Sequence, residues 1–505
     1  MVKSRWAARC VVPLLAVVAG VGSLSGYAAA VPSAGPSTPS FVVAAPKWTK
    51  CADAGPGASP AQCADIRVPL SWARPHGPTI SLHLSRLAAL DAKHRLGALL
   101  FNPGGPGGAG AEVVSEKGRT LMPAELQRRF DIIGFDPRGV GESTAVACTG
   151  AALSPKVSVF PDSKTQFAAV QRQSAAYGAS CIKHSAPSLV ANVDTVSAAR
   201  DMDVIRAALG QRKISYLGVS YGTFLGQTYA RLFPHRVQTM VLDGAMDHAV
   251  TPATFLDEEA SSLSEVFGRF ARWCTASRSC ALHGQDVTAI WDGLLARAAR
   301  TPIPAPHARG GATTVNADAI RMVLPNLLLF GPTSSVLPSS WPELGTAIVQ
   351  AWAGDASLMA DNSDVGQPQD AYAAVGCMDF PPQLRGYADA ASRLKQARAL
   401  SPHTGAASEA WLMTDLCAGW PLPPTDPWGA QKITGTPPIL VASTRYDPST
   451  PLAWAQGLHR EINGSALLVA DVTGHTAYFN SGCARTAETT YLITGKLPVS
   501  DRCGA

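Results

Sequence analysis

Short, nearly continuous apolar runs recur along the chain, with turn residues between them. Runs at 98–102, 130–135, 214–219, 237–242, 438–442 and 466–470 show no sustained alternation of polar and apolar positions, so they read as strands covered on both faces. Strands of this kind, separated by helical periodicity, specify an α/β fold: a mostly parallel sheet with helices on both faces. Between 248 and 432 the pattern changes. Helical stretches at 255–273, 286–299 and 342–353 follow one another, and few buried-strand runs appear before 438. We therefore expect residues 51–247 and 433–505 to build the sheet and 248–432 to form an inserted, mainly helical cap. Such a cap folds over the C-terminal strand edge, where a ligand crevice forms. A separate domain with its own function is the alternative for the insertion.

The chemistry concentrates where run 214–219 gives way to a helical segment at 223–233. Gly218-Val219-Ser220-Tyr221-Gly222 stands at that join, and small-X-Ser-X-small at a strand-to-helix turn is a nucleophile elbow. A serine hydroxyl needs a base, and the base needs a group that holds its tautomer. Asp447 follows the strand that ends at 442, and His475 follows the one that ends at 470. Both fall at loops on the active edge, in the order nucleophile, acid, histidine. A turn aspartate and a surface-loop histidine are the plain alternative, and Asp243, directly after run 237–242, is a competing acid. Backbone N–H groups of Tyr221 and of Gly105, in Asn102-Pro103-Gly104-Gly105-Pro106-Gly107-Gly108, are the expected oxyanion donors. No Gly-Lys-Ser/Thr follows that loop, which argues against a phosphate cradle.

Residues 1–30 read as a signal peptide: Lys3, Arg5 and Arg9 precede an apolar stretch at 11–24, and Ala28-Ala29-Ala30 closes it. An uncleaved anchor is the alternative. Residues 31–50, rich in Pro, Ser and Ala, read as a flexible leader. No later stretch is apolar for long enough to span a bilayer, so the expectation is a secreted protein with no stable membrane span after cleavage. Of the 11 cysteines, all but Cys10 lie in the exported part, an even set that suits complete pairing in an oxidising compartment. Connectivity is not fixed by sequence; neighbour pairing in chain order closes the shortest loops. No C-x-x-C or paired histidines suggest a metal, and no cofactor is expected. A net charge of +5 without a basic run gives no reason to expect nucleic acid.

Together these motifs resemble the proline iminopeptidase and tripeptidyl aminopeptidase group of α/β-hydrolases. Residues 102–108 are similar to its oxyanion loop, 135–143 to its Asp-X-Arg-Gly-X-Gly-X-Ser turn, and 218–222 to its elbow. Residues 445–451 and 474–476 resemble the acid and histidine loops of secreted actinobacterial tripeptidyl aminopeptidases. The resemblance spans roughly 51–503 and departs at Pro103, which removes a donor and leaves Gly104 and Gly105 to complete the oxyanion hole. Asp136 and Arg138 are expected to form a structural turn behind that loop. The resemblance implies a secreted serine aminopeptidase of tripeptidyl type, acting through Ser220, Asp447 and His475 on peptides with free N-termini. An anion must then bind the substrate ammonium, and Glu258, Glu259 and Asp379 are the candidates. A carboxylesterase or lipase with the same machinery is the runner-up, and a catalytically silent binding protein is a third reading.

Overall fold

A computed structural model of the chain describes residues 43–52, 61–154, 156–332, 334, 336–363, 369–426 and 428–504. The expected signal segment and residues 31–42 of the expected leader lie outside the described residues. The strands are β1 (Thr49–Lys50), β2 (Gln62–Pro69), β3 (Thr79–Leu87), β4 (Gly97–Asn102), β5 (Phe130–Phe135), β6 (Ile214–Val219), β7 (Val237–Asp243), β8 (Ile303–Pro304), β9 (Thr314–Val315), β10 (Leu440–Tyr446), β11 (Ala466–Thr473) and β12 (Arg502–Cys503). Ten of these form one sheet in the order β1-β2-β3-β5-β4-β6-β7-β10-β11-β12, while β8 and β9 pair as a small separate ribbon.

From β5 to β12 every neighbouring pair is parallel. The first three strands are antiparallel, and β3 joins β5 antiparallel. The apolar runs explain the parallel part: β4 and β6 are buried at every position, as strands covered on both faces must be. In β3, Ile80, Leu82 and Leu84 are buried while the residues between them are partly exposed, giving the period-2 pattern of a strand with one wet face.

Alternate side chains of the central strands feed two cores. Leu100, Ile133, Tyr216 and Leu242 pack with the helices Thr195–Ala208 and Tyr221–Leu232 on one face. Leu99, Ile132, Leu217 and Val241 pack with the helices Gly110–Leu121 and Gly482–Thr494 on the other.

Between β7 and β10 lie the helices Pro252–Ala276, Val287–Arg300, Trp341–Ala353, Asp370–Asp379, Tyr387–Leu400 and Glu409–Cys417, with the β8-β9 ribbon among them. This segment belongs to the same compact unit as the sheet. It is pinned to the C-terminal strand edge: Phe255 stacks on Trp454 with ring centroids 4.7 Å apart, and Ser262 Oγ donates to the Asp447 carbonyl at 2.5 Å.

Five disulfides join neighbours in chain order, Cys51–Cys63, Cys148–Cys181, Cys274–Cys280, Cys377–Cys417 and Cys483–Cys503. The pair Cys377–Cys417 ties the helices Asp370–Asp379 and Glu409–Cys417 together.

Arg138 is fully buried and holds three segments at once. Its guanidinium makes two bonds to the Asp201 carboxylate, at 2.7 and 2.6 Å, and donates to the carbonyls of Pro69, Leu70 and Asn192. Asp136, two residues earlier, accepts from Ala111 N–H at 2.9 Å and Glu142 N–H at 2.9 Å, which fixes the start of the helix that follows the glycine loop. Removing the cation strands a carboxylate in the interior. Arg138→Met is expected to destabilise the fold by about 3–5 kcal/mol in urea unfolding, with Arg138→Met/Asp201→Leu recovering part of the loss. A single-variant loss below about 1 kcal/mol would remove the ion pair from this account.

Candidate functional site

The parallel strands end at one edge, and the residues singled out in the sequence gather there because each follows a strand terminus: Asn102 ends β4, Ser220 follows β6, Asp243 ends β7, Asp447 follows β10 and His475 comes two residues after β11. At Ser220 the backbone takes φ 58°, ψ −131°, so the chain reverses direction between β6 and the helix Tyr221–Leu232. That left-handed conformation is uncommon for serine and marks an enforced turn. Ser220 N–H donates to the Asp243 carbonyl at 3.0 Å, and Thr223 Oγ1 donates to the Ser220 carbonyl at 2.6 Å. A Cβ at Gly218 would sit 2.4 Å from the Gly222 carbonyl oxygen, so the elbow closes only with glycine there.

The glycine loop after β4 lies directly on this turn. At Gly104, with φ +92°, a Cβ would stand 2.7 Å from the Ser220 Cβ. Its own N–H is taken by Asn102 Oδ1 at 3.0 Å, which leaves Gly105 as the expected donor facing Ser220. Tyr221 is the first residue of its helix, and no side chain caps that end; its N–H therefore has no partner within the helix and points with the positive end of the helix dipole. Gly105 and Ser220 line the same two cavities.

His475 is buried, and its Nδ1 lies 2.9 Å from Asp447 Oδ1 and 3.0 Å from Oδ2. The carboxylate is itself held by the N–H groups of Ser449, Thr450 and Thr476 and by Thr450 Oγ1, at 2.8–3.1 Å. Burial alone pulls the imidazole pKa down; the Asp447 charge and hydrogen bond, reinforced by Glu409 and Asp243, outweigh it and leave it raised above 6.5. Asp243, the competing acid, directs its carboxylate to the N–H groups of Ala477 and Tyr478 rather than to the imidazole.

Two cavities flank Ser220. The wider, about 300 Å³, is lined by Gly105, Ser220, His475, Glu409, Tyr372 and Phe479. The narrower, about 30 Å³, is walled by Phe255, Phe380 and Trp454 and carries the carboxyl groups of Glu259 and Glu409. Glu259 accepts from Glu409 N–H at 3.0 Å and from Ala410 N–H at 2.7 Å, capping the helix Glu409–Cys417. Burial, and next the Glu409 charge, push its pKa well above the usual carboxyl range.

The three acidic residues named from sequence are thus dispersed. Glu259 lines the narrow cavity. Glu258 is half-buried and accepts from Trp454 Nε1 at 2.7 Å, one layer behind the wall. Asp379 does not reach either cavity: it is fully buried, accepts from Thr195 N–H at 3.1 Å and Thr195 Oγ1 at 2.6 Å, and through Thr195 supports the Tyr221 hydroxyl. Glu409, absent from the sequence reading, faces both cavities. Its signal in the sequence was only Ser408-Glu409, which marks a helix start and not a ligand site.

A family model described as alpha/beta hydrolase fold matches residues 97–319, and one described as TAP-like protein matches 403–503. Serine protease Hip1 of Mycobacterium tuberculosis (strain ATCC 25618 / H37Rv) is 32% identical over 480 residues, covering 90% of both chains. Tripeptidyl aminopeptidase of Streptomyces lividans is 31% identical over 476 residues, or 90% of this chain and 85% of that protein. Carboxylesterase B of the same Mycobacterium tuberculosis strain is 33% identical over 509 residues, 94% and 92% of the two chains. With relatives above 30% identity across some 90% of its length, and with an elbow serine at the sheet edge, the chain belongs to the TAP-like family of α/β-hydrolases and is a serine hydrolase.

Proposed function

We propose that this chain is a secreted serine aminopeptidase of tripeptidyl type, with Ser220 as nucleophile, His475 as base and Asp447 as the acid that orients it. The observation that carries the reading is the shared cavity. Ser220 and His475 line one space, the imidazole is tethered to a carboxylate through Nδ1, and the same serine opens onto a second pocket bearing two carboxyl groups.

In the reaction, Ser220 Oγ attacks the scissile carbonyl as His475 Nε2 takes its proton. The oxyanion accepts from the N–H groups of Gly105 and Tyr221, and His475 then returns the proton to the leaving amine. Water attacks the acyl-enzyme by the same route. Because His475 lines the wider cavity and not the narrow one, the leaving amine is assigned to the wider side. The acyl part, with its N-terminus, is assigned toward Glu259 and Glu409. A cation arriving between the buried Glu259 and the part-buried Glu409 gains most where water is excluded. The inserted segment 248–432 acts as the cap that sets this depth. Five disulfides are in keeping with an oxidising compartment.

The apolar wall of the narrow cavity, Phe255, Phe380 and Trp454, together with likeness to a protein named carboxylesterase B, favours a second reading as an esterase. Peptide p-nitroanilides, free and N-acetylated, assayed beside p-nitrophenyl esters separate the two. Acetylation is expected to cost roughly 2–4 kcal/mol in kcat/KM, because it removes the ammonium charge that faces Glu259 and Glu409. Glu409→Gln should erase most of that difference and spare ester hydrolysis. Equal kcat/KM for free and acetylated peptides would reject the aminopeptidase reading.

Ser220→Ala and His475→Ala are each expected to lower kcat by about 10⁴–10⁶ with the fold retained by circular dichroism. Substantial turnover by purified Ser220→Ala would contradict the assignment.

The raised His475 pKa places the acid limb of kcat/KM above pH 6.5, since only neutral imidazole accepts the serine proton and that form is lost as pH falls through its pKa. In Asp447→Asn the largest of the effects that oppose burial is gone, while those of Glu409 and Asp243 remain. The imidazole pKa, read by NMR, should then fall below that of the wild type, and an unchanged value would count against the Asp447–His475 pairing.

A further inference from the structure

Asp243 is fully buried and, through its backbone carbonyl and its carboxylate, joins two parts of the site. Its backbone carbonyl accepts the Ser220 N–H at 3.0 Å. Its carboxylate accepts the N–H of Ala477 at 2.8 Å through Oδ1 and that of Tyr478 at 2.6 Å through Oδ2. Those amides immediately follow the turn that carries His475. Within the turn, Thr476 has φ 67°, a conformation that a β-branched residue adopts only under external constraint. The constraints can be named. Thr476 N–H is held by Asp447 Oδ2 at 3.1 Å, Asn480 Nδ2 donates to the carbonyls of His475 and Thr476 at 2.6 and 2.9 Å, and Asp243 clamps the next two amides.

We propose that Asp243 is a positioning residue, which sets the distance between the Ser220 hydroxyl and the His475 imidazole by gripping the nucleophile's backbone with its carbonyl and the strained Thr476 turn with its carboxylate. This rests on the triad reading given above. It gives Asp243 a place in the reaction without contact with substrate. Loss of the grip allows Thr476 to relax toward negative φ, which swings the imidazole away from Ser220. Misplacement of a reacting group by about 1 Å costs on the order of 10²-fold in rate.

The charged and titratable groups around Asp243 are His475, Asp447, Tyr478, Glu488 and Arg485. Burial pushes the Asp243 carboxyl up to about 6, against the pull of the two amides and His475. It is therefore largely ionised at neutral pH and loses acceptor strength as pH falls through 6. Its charge in turn helps to hold the His475 pKa up. Glu488 lies near it in the same buried layer, with neither carboxyl oxygen hydrogen-bonded among the described residues.

Asp243→Asn tests the proposal. The amide keeps the shape but accepts from only one of the two N–H groups and carries no charge. Kinetics normalised to active sites titrated with a fluorophosphonate should show kcat lower by about 10–100-fold, with KM changed less than about threefold. The acid limb of kcat/KM should move to lower pH, because the imidazolium loses a stabilising charge; a generally loosened structure would not shift it in that direction. Glu488→Gln, equally buried but with no carboxyl hydrogen bond to the turn, should leave kcat within about twofold.

Should Asp243→Asn not fold, Asn480→Ala removes the other tether of the same turn and is expected to give the same selective fall in kcat. Wild-type kcat in whichever of these variants folds, or equal kcat losses in Asp243→Asn and Glu488→Gln, would overturn the proposal. A loss of 10⁴-fold in Asp243→Asn beside a mild effect of Asp447→Asn would make Asp243 the triad acid and overturn it as well. Ser220→Ala distinguishes the two levels: if it is inactive while Asp243→Asn is normal, only the positioning role falls, and if it is active, the triad reading falls and takes this role with it.

Discussion

The reversal of the backbone at Ser220 is the constraint on which the remaining geometry depends. A serine at φ 58° is not a conformation that the residue selects; it is imposed by β6 on one side and the helix Tyr221–Leu232 on the other. Three things must hold for it to persist. The neighbouring strand must offer a carbonyl to the Ser220 N–H, which Asp243 does. The elbow must have no Cβ at Gly218, and the glycine loop must approach closely enough to share the turn's surface. The reversal also brings the N–H of Tyr221, which has no partner within its helix, to the sheet edge. In the proposed mechanism, nucleophile and oxyanion donors are therefore two results of a single turn.

The histidine side is built on a different principle. Asp447 collects hydrogen bonds from Ser449, Thr450, Thr476 and His475, so its carboxylate is a hub and its orientation is fixed by several donors. A carboxylate so well satisfied holds a buried imidazole in one tautomer, with Nδ1 toward the acid. The cost is borne by Thr476, forced to positive φ to let its N–H meet Asp447 while the next two amides turn to Asp243. Rigid strands supply the approximate positions, and strained residues at their ends supply the fine placement.

Much of this was legible in the sequence. Buried strands announce themselves as apolar runs, and residues directly after strand ends gather at one edge of a parallel sheet by topology alone, which is why Ser220, Asp447 and His475 were selected. Three things were not legible. The alternation in β2 and β3 is weak beside the continuous central runs, so the antiparallel start of the sheet is not legible. Asp379 and Glu258 sit on helices of the insertion, where periodicity tells which face is buried but not what that face meets; Asp379 turned out to meet Thr195 and Glu258 to meet Trp454. Glu409 was missed for the same reason in reverse. At a helix start it reads as an ordinary first-turn acid, and only the packing of the insertion on the strand edge turns it toward Ser220.

The electrostatics of the site follow from that packing. Asp447, Asp243 and Glu409 bring three carboxyl groups around a buried imidazole, with backbone amides as a main counterweight for the two aspartates. Desolvation disfavours the imidazolium, and the negative potential favours it more strongly, so the base is tuned upward. The same potential acts on anything that enters. In the proposed mechanism it stabilises a substrate ammonium and the imidazolium formed as Ser220 attacks, and it raises the energy of a product carboxylate generated at Ser220. In the proposed hydrolysis the acid product thus acquires its charge in the place least suited to keep it. On that proposal, the field that helps to bind the N-terminus before reaction also favours departure of the acid afterwards.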